Sequence, residues 1–303
     1  MRRAQALGYV PGTMKTTYLG TATLLLELAG LRLLTDPAFD PAGTAYNFGP
    51  WYAPRSWFSS EKGYRTPIGR GELGKVDAVL LSHDHHADNL DHEGRQLLTE
   101  SSVSRIITTR AGAARLSKEA PSGRRSAPGE GLGVGGKTQG LAWGESTRLA
   151  NGADGLKLTA TPARHGPWGT PQVHEVIGLL LEPEAASEPT VWISGDTVMF
   201  PELRRFLTQQ RQSSRRVDVA IIHCGGVSFP KVPVLGRSRF TFDAQQVIEV
   251  CRLLDPRVVI PVHRSGWTHF RESEDQLRDT LTGAGFADRC RFLGLGESTA
   301  LTS

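Results

Sequence analysis

The amino-acid sequence predicts a layered α/β fold, and three observations predict it. Short apolar runs rich in β-branched residues recur along the chain, among them Val79-Leu80-Leu81, Val191-Trp192-Ile193, Val219-Ala220-Ile221-Ile222 and Val258-Val259-Ile260-Pro261-Val262. Runs of that length and composition read as buried strands. Amphipathic stretches alternate with them, the pattern of sheets covered by helices. With 303 residues and 39% hydrophobic content, the chain can bury a substantial core. No internal period of about 20–50 residues is visible, which excludes repeat architectures.

Each strand delivers the chain to an ionisable group. Val79-Leu80-Leu81-Ser82 leads into His83-Asp84-His85-His86-Ala87-Asp88-Asn89. Two His one residue apart in extended chain can aim at a common point only if the backbone turns there. A metal ion rewards that convergence, because neutral imidazole is the commonest protein ligand for Zn²⁺ and its neighbours. Leu158-Thr159-Ala160-Thr161-Pro162-Ala163-Arg164 leads into His165, and Val191 to Gly195 into Asp196. The runs ending at Ile222 and Val262 lead into His223 and His263. Ligands and catalytic groups tend to sit just outside the carboxyl ends of strands. One such His is an ordinary polar strand end; five such strand ends make coincidence a poor explanation. Between the last two strands, Phe242 to Leu254 has apolar residues at helical spacing, and Asp255-Pro256 is a helix stop.

In this order the motifs resemble those of the metallo-β-lactamase-fold hydrolases: His-x-His after an apolar strand, a lone His, Ser194-Gly195-Asp196-Thr197, and a late Pro261-Val262-His263. Leu19 to Glu27 and Leu33-Leu34-Thr35-Asp36-Pro37 resemble the superfamily's opening hairpin, so the match runs from about Thr16 to Gly296. Within the superfamily it is most similar to the branch of ascorbate-6-phosphate lactonase and N-acyl-phosphatidylethanolamine phospholipase D. The resemblance implies a four-layer αββα sandwich with the metal site at one edge. Residues 1–15 then read as a disordered N-terminal extension and 16–303 as a single domain. It also implies one or two Zn²⁺ ions. Site one takes His83, His85 and His165; site two takes Asp88 and His263, with Asp196 bridging.

There is one departure. The family pattern is His-x-His-x-Asp-His, and here its Asp falls on Ala87 and its second-site His on Asp88. Either Asp88-Asn89 does the job of Asp-His with one residue inserted, or Asp88 occupies the His position. Both place a carboxylate near a second metal, and neither leaves a His there, which opens that site to Mn²⁺ or Fe. His86 is expected to alternate away from His85 in extended chain. The plain alternative for Asp88 is a helix cap ahead of Asn89-Leu90-Asp91-His92.

The implied chemistry is attack by metal-bound hydroxide on a small ester, lactone or phosphodiester. Asp88 would orient the nucleophile and pass a proton to the leaving group, and His223 would contact the substrate or its oxyanion. The segment Tyr46 to Phe58 packs six aromatic residues into a stretch with neither helix nor strand period. Such a segment reads as a lid, a packed plug or a dimer contact. Trp51, Trp57, Trp168, Arg264 and His269 are the candidate substrate contacts; Arg164, Lys231 and Arg55 are further candidates for an anionic group. His92 and His174 read as surface His.

Other signals are quiet. A net charge of +4 suits an anionic substrate without demanding nucleic acid. Three cysteines without metal-type spacing point to a reduced, cytoplasmic setting. No apolar run of about 18 residues predicts a membrane span. Gly131-Leu132-Gly133-Val134-Gly135-Gly136-Lys137-Thr138 fits a P-loop by letter, but no buried strand precedes it and no helix pattern follows. A small-molecule substrate is the expected partner, and a homo-oligomer is compatible with the sequence. Two alternatives differ in class. A nuclease acting on RNA or DNA would need a basic gripping arm, which is not found. The other is a non-hydrolytic metal-binding protein.

Overall fold

The computed structural model describes residues 12–49, 53–122, 125–151, 154–167, 175–232 and 238–302. β1 (Thr13–Gly20) and β2 (Thr23–Leu28) pair antiparallel, and β2 turns into β3 (Leu31–Thr35) through Ala29-Gly30. Both turn residues have positive φ, 52° and 67°, the twist that matches a two-residue hairpin. A small hairpin of β4 (Ala45–Asn47) and β5 (Ser59–Glu61) follows, with the single turn α1 (Arg55–Phe58) between its strands. Then come β6 (Ala78–Leu80), α2 (His92–Thr99), β7 (Ile106–Thr109), α3 (Arg110–Leu116) and β8 (Thr138–Leu141). The second half runs β9 (Ser146–Asn151), β10 (Asp154–Pro162), β11 (Ile177–Pro183), β12 (Val191–Ile193) and α4 (Pro201–Gln212). It closes with β13 (Val219–His223), α5 (Ala244–Leu254), β14 (Val258–Val262), α6 (Glu274–Gly283) and β15 (Ser298–Thr302).

These elements form a seven-stranded sheet ordered β15-β1-β2-β3-β6-β7-β8 and a six-stranded sheet ordered β14-β13-β12-β11-β10-β9. Strand alternation explains the layering. On β12 to β14, Val191, Ile193, Val219, Ile221, Val258 and Ile260 join the core shared with the first sheet. The intervening Trp192, Ala220, Ile222 and Val259 face outward onto Leu203 and Leu207 of α4, Val247 and Leu254 of α5, and Leu277 and Leu281 of α6. The first sheet does the same with Leu97 and Leu98 of α2 and Leu116 of α3, packed on Leu34, Val79 and Ile106. The result is the expected αββα sandwich.

β12, β13 and β14 are parallel, and β10 runs the same way because it and β12 are both antiparallel to β11. Their carboxyl ends therefore share one edge, where His165, Asp196, His223 and His263 emerge. α5 starts where Asp243 accepts from Gln246 N at 3.0 Å, and stops at Asp255 with φ +55°.

Two expectations change here, and the refusal of the P-loop holds. β1 begins at Thr13, so residues 13–15 belong to the sheet rather than to an extension; residues 1–11 lie outside the described residues. The aromatic segment carries a strand and a helical turn, because β4 is held by pairing to β5 and not by its own periodicity. The P-loop-like stretch runs through one 3-10 turn, Gly135–Lys137, straight into β8. Lys137 there donates to the carbonyls of Glu100 and Val103 at 2.6 and 3.2 Å.

Candidate metal centre

The His-rich turn is shaped by contacts distant in sequence. Ser82 N donates to Asp36 Oδ1 at 2.7 Å, fixing the chain as it leaves β6. The Asp84 side chain is clasped by Arg115 of α3, Nε at 2.9 Å and Nη2 at 2.5 Å, which turns Asp84 away from its His neighbours. The His86 carbonyl accepts from Asn89 N and Leu90 N at 3.3 and 2.9 Å. That tight turn breaks strand alternation, so His86 points in beside His83 and His85, contrary to the extended-chain expectation. Their ring centroids are 4.6 Å (His83–His85) and 4.4 Å (His85–His86) apart.

The other groups arrive from the second sheet. His165 Nδ1 donates to Phe240 O at 2.7 Å, leaving Nε2 directed inward. Asp196 follows Gly195, whose φ is +61°; a Cβ there would sit 2.4 Å from Ile177 O, so only glycine fits. His263 has φ +53° and its N donates to Thr21 O at 2.6 Å. Strained conformations of this kind persist where surrounding structure fixes them, and they cluster at functional sites.

Asp196 Oδ2 lies 3.5 Å from His263 Nε2, 3.9 Å from His165 Nε2 and 4.0 Å from His83 Nε2. Those spacings exceed a hydrogen bond. Ligands at about 2.0–2.2 Å from one tetrahedral ion stand roughly 3.3–3.6 Å apart; the His263 spacing falls in that range and the other two are a few tenths of an ångström wider. Asp88 Oδ2 is 3.0 Å from His263 Nε2 and 3.1 Å from His269 Nε2. Among the described residues, three overlapping groups have donor atoms within 4.8 Å of one another: His83, His85 and His86; His83, His165 and Asp196; Asp88, Asp196 and His263.

The electrostatics fit a cation. Burial pushes the His83 imidazole down to about 3 and His86 well below its usual value, so both are neutral and able to ligate. Burial alone would raise the Asp196 carboxyl, but charged His263 and the hydrogen bond from His223 outweigh it and hold it ionised. Asp88 is likewise held well below its usual range, its hydrogen bonds from His263 and His269 overcoming burial. His263 is raised to about 9, because Asp196 and Asp88 outweigh its burial. Two ionised buried carboxylates thus draw positive charge onto the nearest imidazole, a role a divalent ion fits.

The family model described as the Beta-lactamase superfamily domain matches residues 31–264. The chain belongs to the metallo-β-lactamase superfamily. A metal-dependent hydrolase of Caldivirga maquilingensis is 23% identical to this superfamily member over 263 residues, covering 86% of this chain and 87% of its own. The mitochondrial N-acyl-phosphatidylethanolamine-hydrolyzing phospholipase D of Saccharomyces cerevisiae is 23% identical over 291 residues, 93% of this chain and 55% of its own. A solved isothiocyanate hydrolase from Delia radicum gut bacteria superposes with TM-score 0.73 at 19% identity, covering 95% of this chain and all of that one. At such identity the likeness establishes the shared fold.

The superfamily fold gathers some sequence-predicted residues and moves others away. His83, His165, Asp196, Asp88 and His263 converge, and His85 joins through His83. The helix cap falls to Asp91, which accepts from Gly94 N at 2.8 Å, and not to Asp88. His223 does not face open space: it is fully buried, donates from Nδ1 to Asp196 Oδ1 at 2.9 Å, and stacks on His263 at 5.8 Å. Arg264 is also buried, donating to Pro261 O, Leu293 O and Glu274 at 3.1, 2.5 and 2.5 Å, so it braces the β14 loop and is not among the residues lining the cavity below. His269 spans Asp88 Oδ2 and Ser60 Oγ, 3.1 and 2.6 Å away, which makes it a support for Asp88. Trp57 on α1 is 37% exposed and does not line the cavity below. Trp51, Trp168 and His174 lie outside the described residues. His92 is half-buried, stacked on Tyr46 at 5.2 Å, rather than a plain surface His.

A cavity of about 180 Å³ lies beside the His cluster, lined by Tyr46, Asn47, Phe48, His85, His86 and Pro128. Phe48, Phe240 and Phe270 stand 5.7, 5.9 and 4.6 Å from His86, His165 and His263, roofing the centre with apolar rings. Excluding water strengthens every charge interaction beneath.

Proposed function

We propose that this hydrolase holds Zn²⁺, with one or two ions per chain, and cleaves a small ester, lactone or phosphodiester. The observation that carries it is Asp196 Oδ2 facing three imidazole nitrogens at 3.5–4.0 Å, with Asp88 beside the same His263. His83, His85, His165 and Asp196 would hold the first ion, and Asp88, His263 and the shared Asp196 the second. A divalent ion supplies a Lewis acid and acidifies a bound water to near neutral pH. The protein's own groups do the rest. Asp88, fixed by His269, accepts a proton from the attacking water and returns it to the leaving group. The cavity of about 180 Å³ favours a small substrate or the end of a longer one. Among the described residues, no helix is long and apolar enough to cross a membrane. The free thiols of Cys224, Cys251 and Cys290 support a cytoplasmic setting.

The test pairs metal analysis with a panel of lactones, p-nitrophenyl esters and bis-p-nitrophenyl phosphate. Turnover that follows metal content is expected, and hydrolysis undiminished by chelation would end the proposal. His223 enters as the group that orients Asp196. His223→Phe should weaken metal retention by about 10–100-fold, whereas His223→Asn, whose amide can replace the Nδ1–H donor, should recover most of it. Equal affinity in both variants, read by competition with a chromogenic chelator, would remove His223 from this role.

A further inference from the structure

The two candidate metal positions differ in donor chemistry, an inference that rests on the metal-dependent reading above. On one side imidazoles gather. His86 Nδ1 lies 3.3 Å from His83 Nε2 and 3.0 Å from His165 Nε2, and His85 packs against both His83 and His86. On the other side stands Asn89, fully buried, at the position that takes the second-site His of the family pattern when one residue is inserted before Asp88. One end of its amide lies 3.2 Å from both Asp196 Oδ2 and Asp88 Oδ1. With its nitrogen there, the amide bridges two carboxylates by hydrogen bonds. With its oxygen there, three oxygens from three residues face one point, and His263 Nε2 stands 3.0 Å from Asp88 Oδ2.

We infer that the second position is an oxygen-dominated site, made by Asp88, Asn89 and Asp196 with one imidazole from His263, that takes a hard divalent ion such as Mn²⁺, while the imidazole-rich position, which His86 joins, keeps Zn²⁺. The chemical reason is ligand softness: exchanging imidazole for amide oxygen removes a donor that favours Zn²⁺ and adds one that suits Mn²⁺. The amide is also uncharged, so the site keeps only the two carboxylates to hold the ion.

The experiment loads metal-free protein with one equivalent of Zn²⁺ and then excess Mn²⁺, and reads bound metal by mass spectrometry and Mn²⁺ by EPR. The expected result is one Zn²⁺ and one Mn²⁺ per chain, with the two sites differing in Zn²⁺ affinity by at least tenfold. Asn89→His should bring the second Zn²⁺ affinity up to that of the first, and one further equivalent of Zn²⁺ should then displace Mn²⁺. Asn89→Ala should lose Mn²⁺ and retain the first Zn²⁺. Two Zn²⁺ bound with equal affinity by the unmodified protein, or no change on Asn89→His, would overturn the inference and leave the hydrolase reading standing. Folded protein, checked by circular dichroism, that takes up neither ion would overturn both.

Discussion

Asp196→Ala is expected to abolish hydrolysis and metal retention together, with activity falling at least about a thousandfold because several kcal/mol of transition-state stabilisation disappear with the ion. Asp196 is the one side chain that both candidate sites share. Its Oδ2 faces His83, His165 and His263, and its Oδ1 takes the hydrogen bond from His223 at 2.9 Å. His165→Ala should act in the same direction while leaving Asp88 and His263 in place. Metal content and turnover measured on the same preparations check this. Either variant turning over substrate at the unmodified rate without metal would point to a metal-independent mechanism. Asp196→Asn refines the test: it keeps the shape and one acceptor but removes the charge, so retention should fall less than in Asp196→Ala.

Lys62→Ala should produce the largest loss of stability, about 3–5 kcal/mol, as expected when one member of a buried ion pair is removed. Lys62 is completely buried beside β5. Its Nζ donates to Ala38 O at 2.8 Å, stands 3.6 Å from Asp91 Oδ2, and lies 4.7 Å over the Tyr64 ring. Asp91 in turn caps α2 and accepts from Asp40 N at 2.5 Å. Without the ammonium, Asp91 is an uncompensated buried charge immediately after the Asp88-Asn89 turn. The melting temperature should drop by about 5–8 °C, taking about 1.6 °C per kcal/mol for a chain of this size. Asp91→Asn retains a capping oxygen and removes the charge, so adding it to Lys62→Met should recover a good part of the loss. Additive losses in that cycle, read by thermal melts, would show that Lys62 and Asp91 act independently.

How much of this was legible in the sequence varies residue by residue. The strand before each candidate site residue was legible because buried strands need continuous β-branched runs, and β6, β10, β12, β13 and β14 lie where those runs are. Helix α5 was legible from its apolar spacing and the stop at Asp255. The misread residues share a cause. Arg264 reads as a free cation, yet Glu274 and the carbonyls of Pro261 and Leu293 neutralise and enclose it. His223 reads as a substrate contact because its strand-end placement matches that of the candidate ligands, and His269 because it follows His263 closely; only packing shows that they face Asp196 and Asp88.

The sequence by itself determined the layered fold, the edge that carries the chemistry and the residue types that supply it, because periodicity and strand ends are local properties. The tertiary structure alone decided which side chains meet. Arg115 clasping Asp84, Asp36 holding Ser82 and the turn closed on the His86 carbonyl together swing His86 inward and bury Asn89 between two carboxylates. Arg115 and Asp36 reach the turn from α3 and from the end of β3, and a backbone turn of a single residue reverses the face a side chain takes. No local pattern encodes that reversal; the hydrogen bonds that Asp36 and Arg115 bring to the turn from elsewhere in the chain hold it.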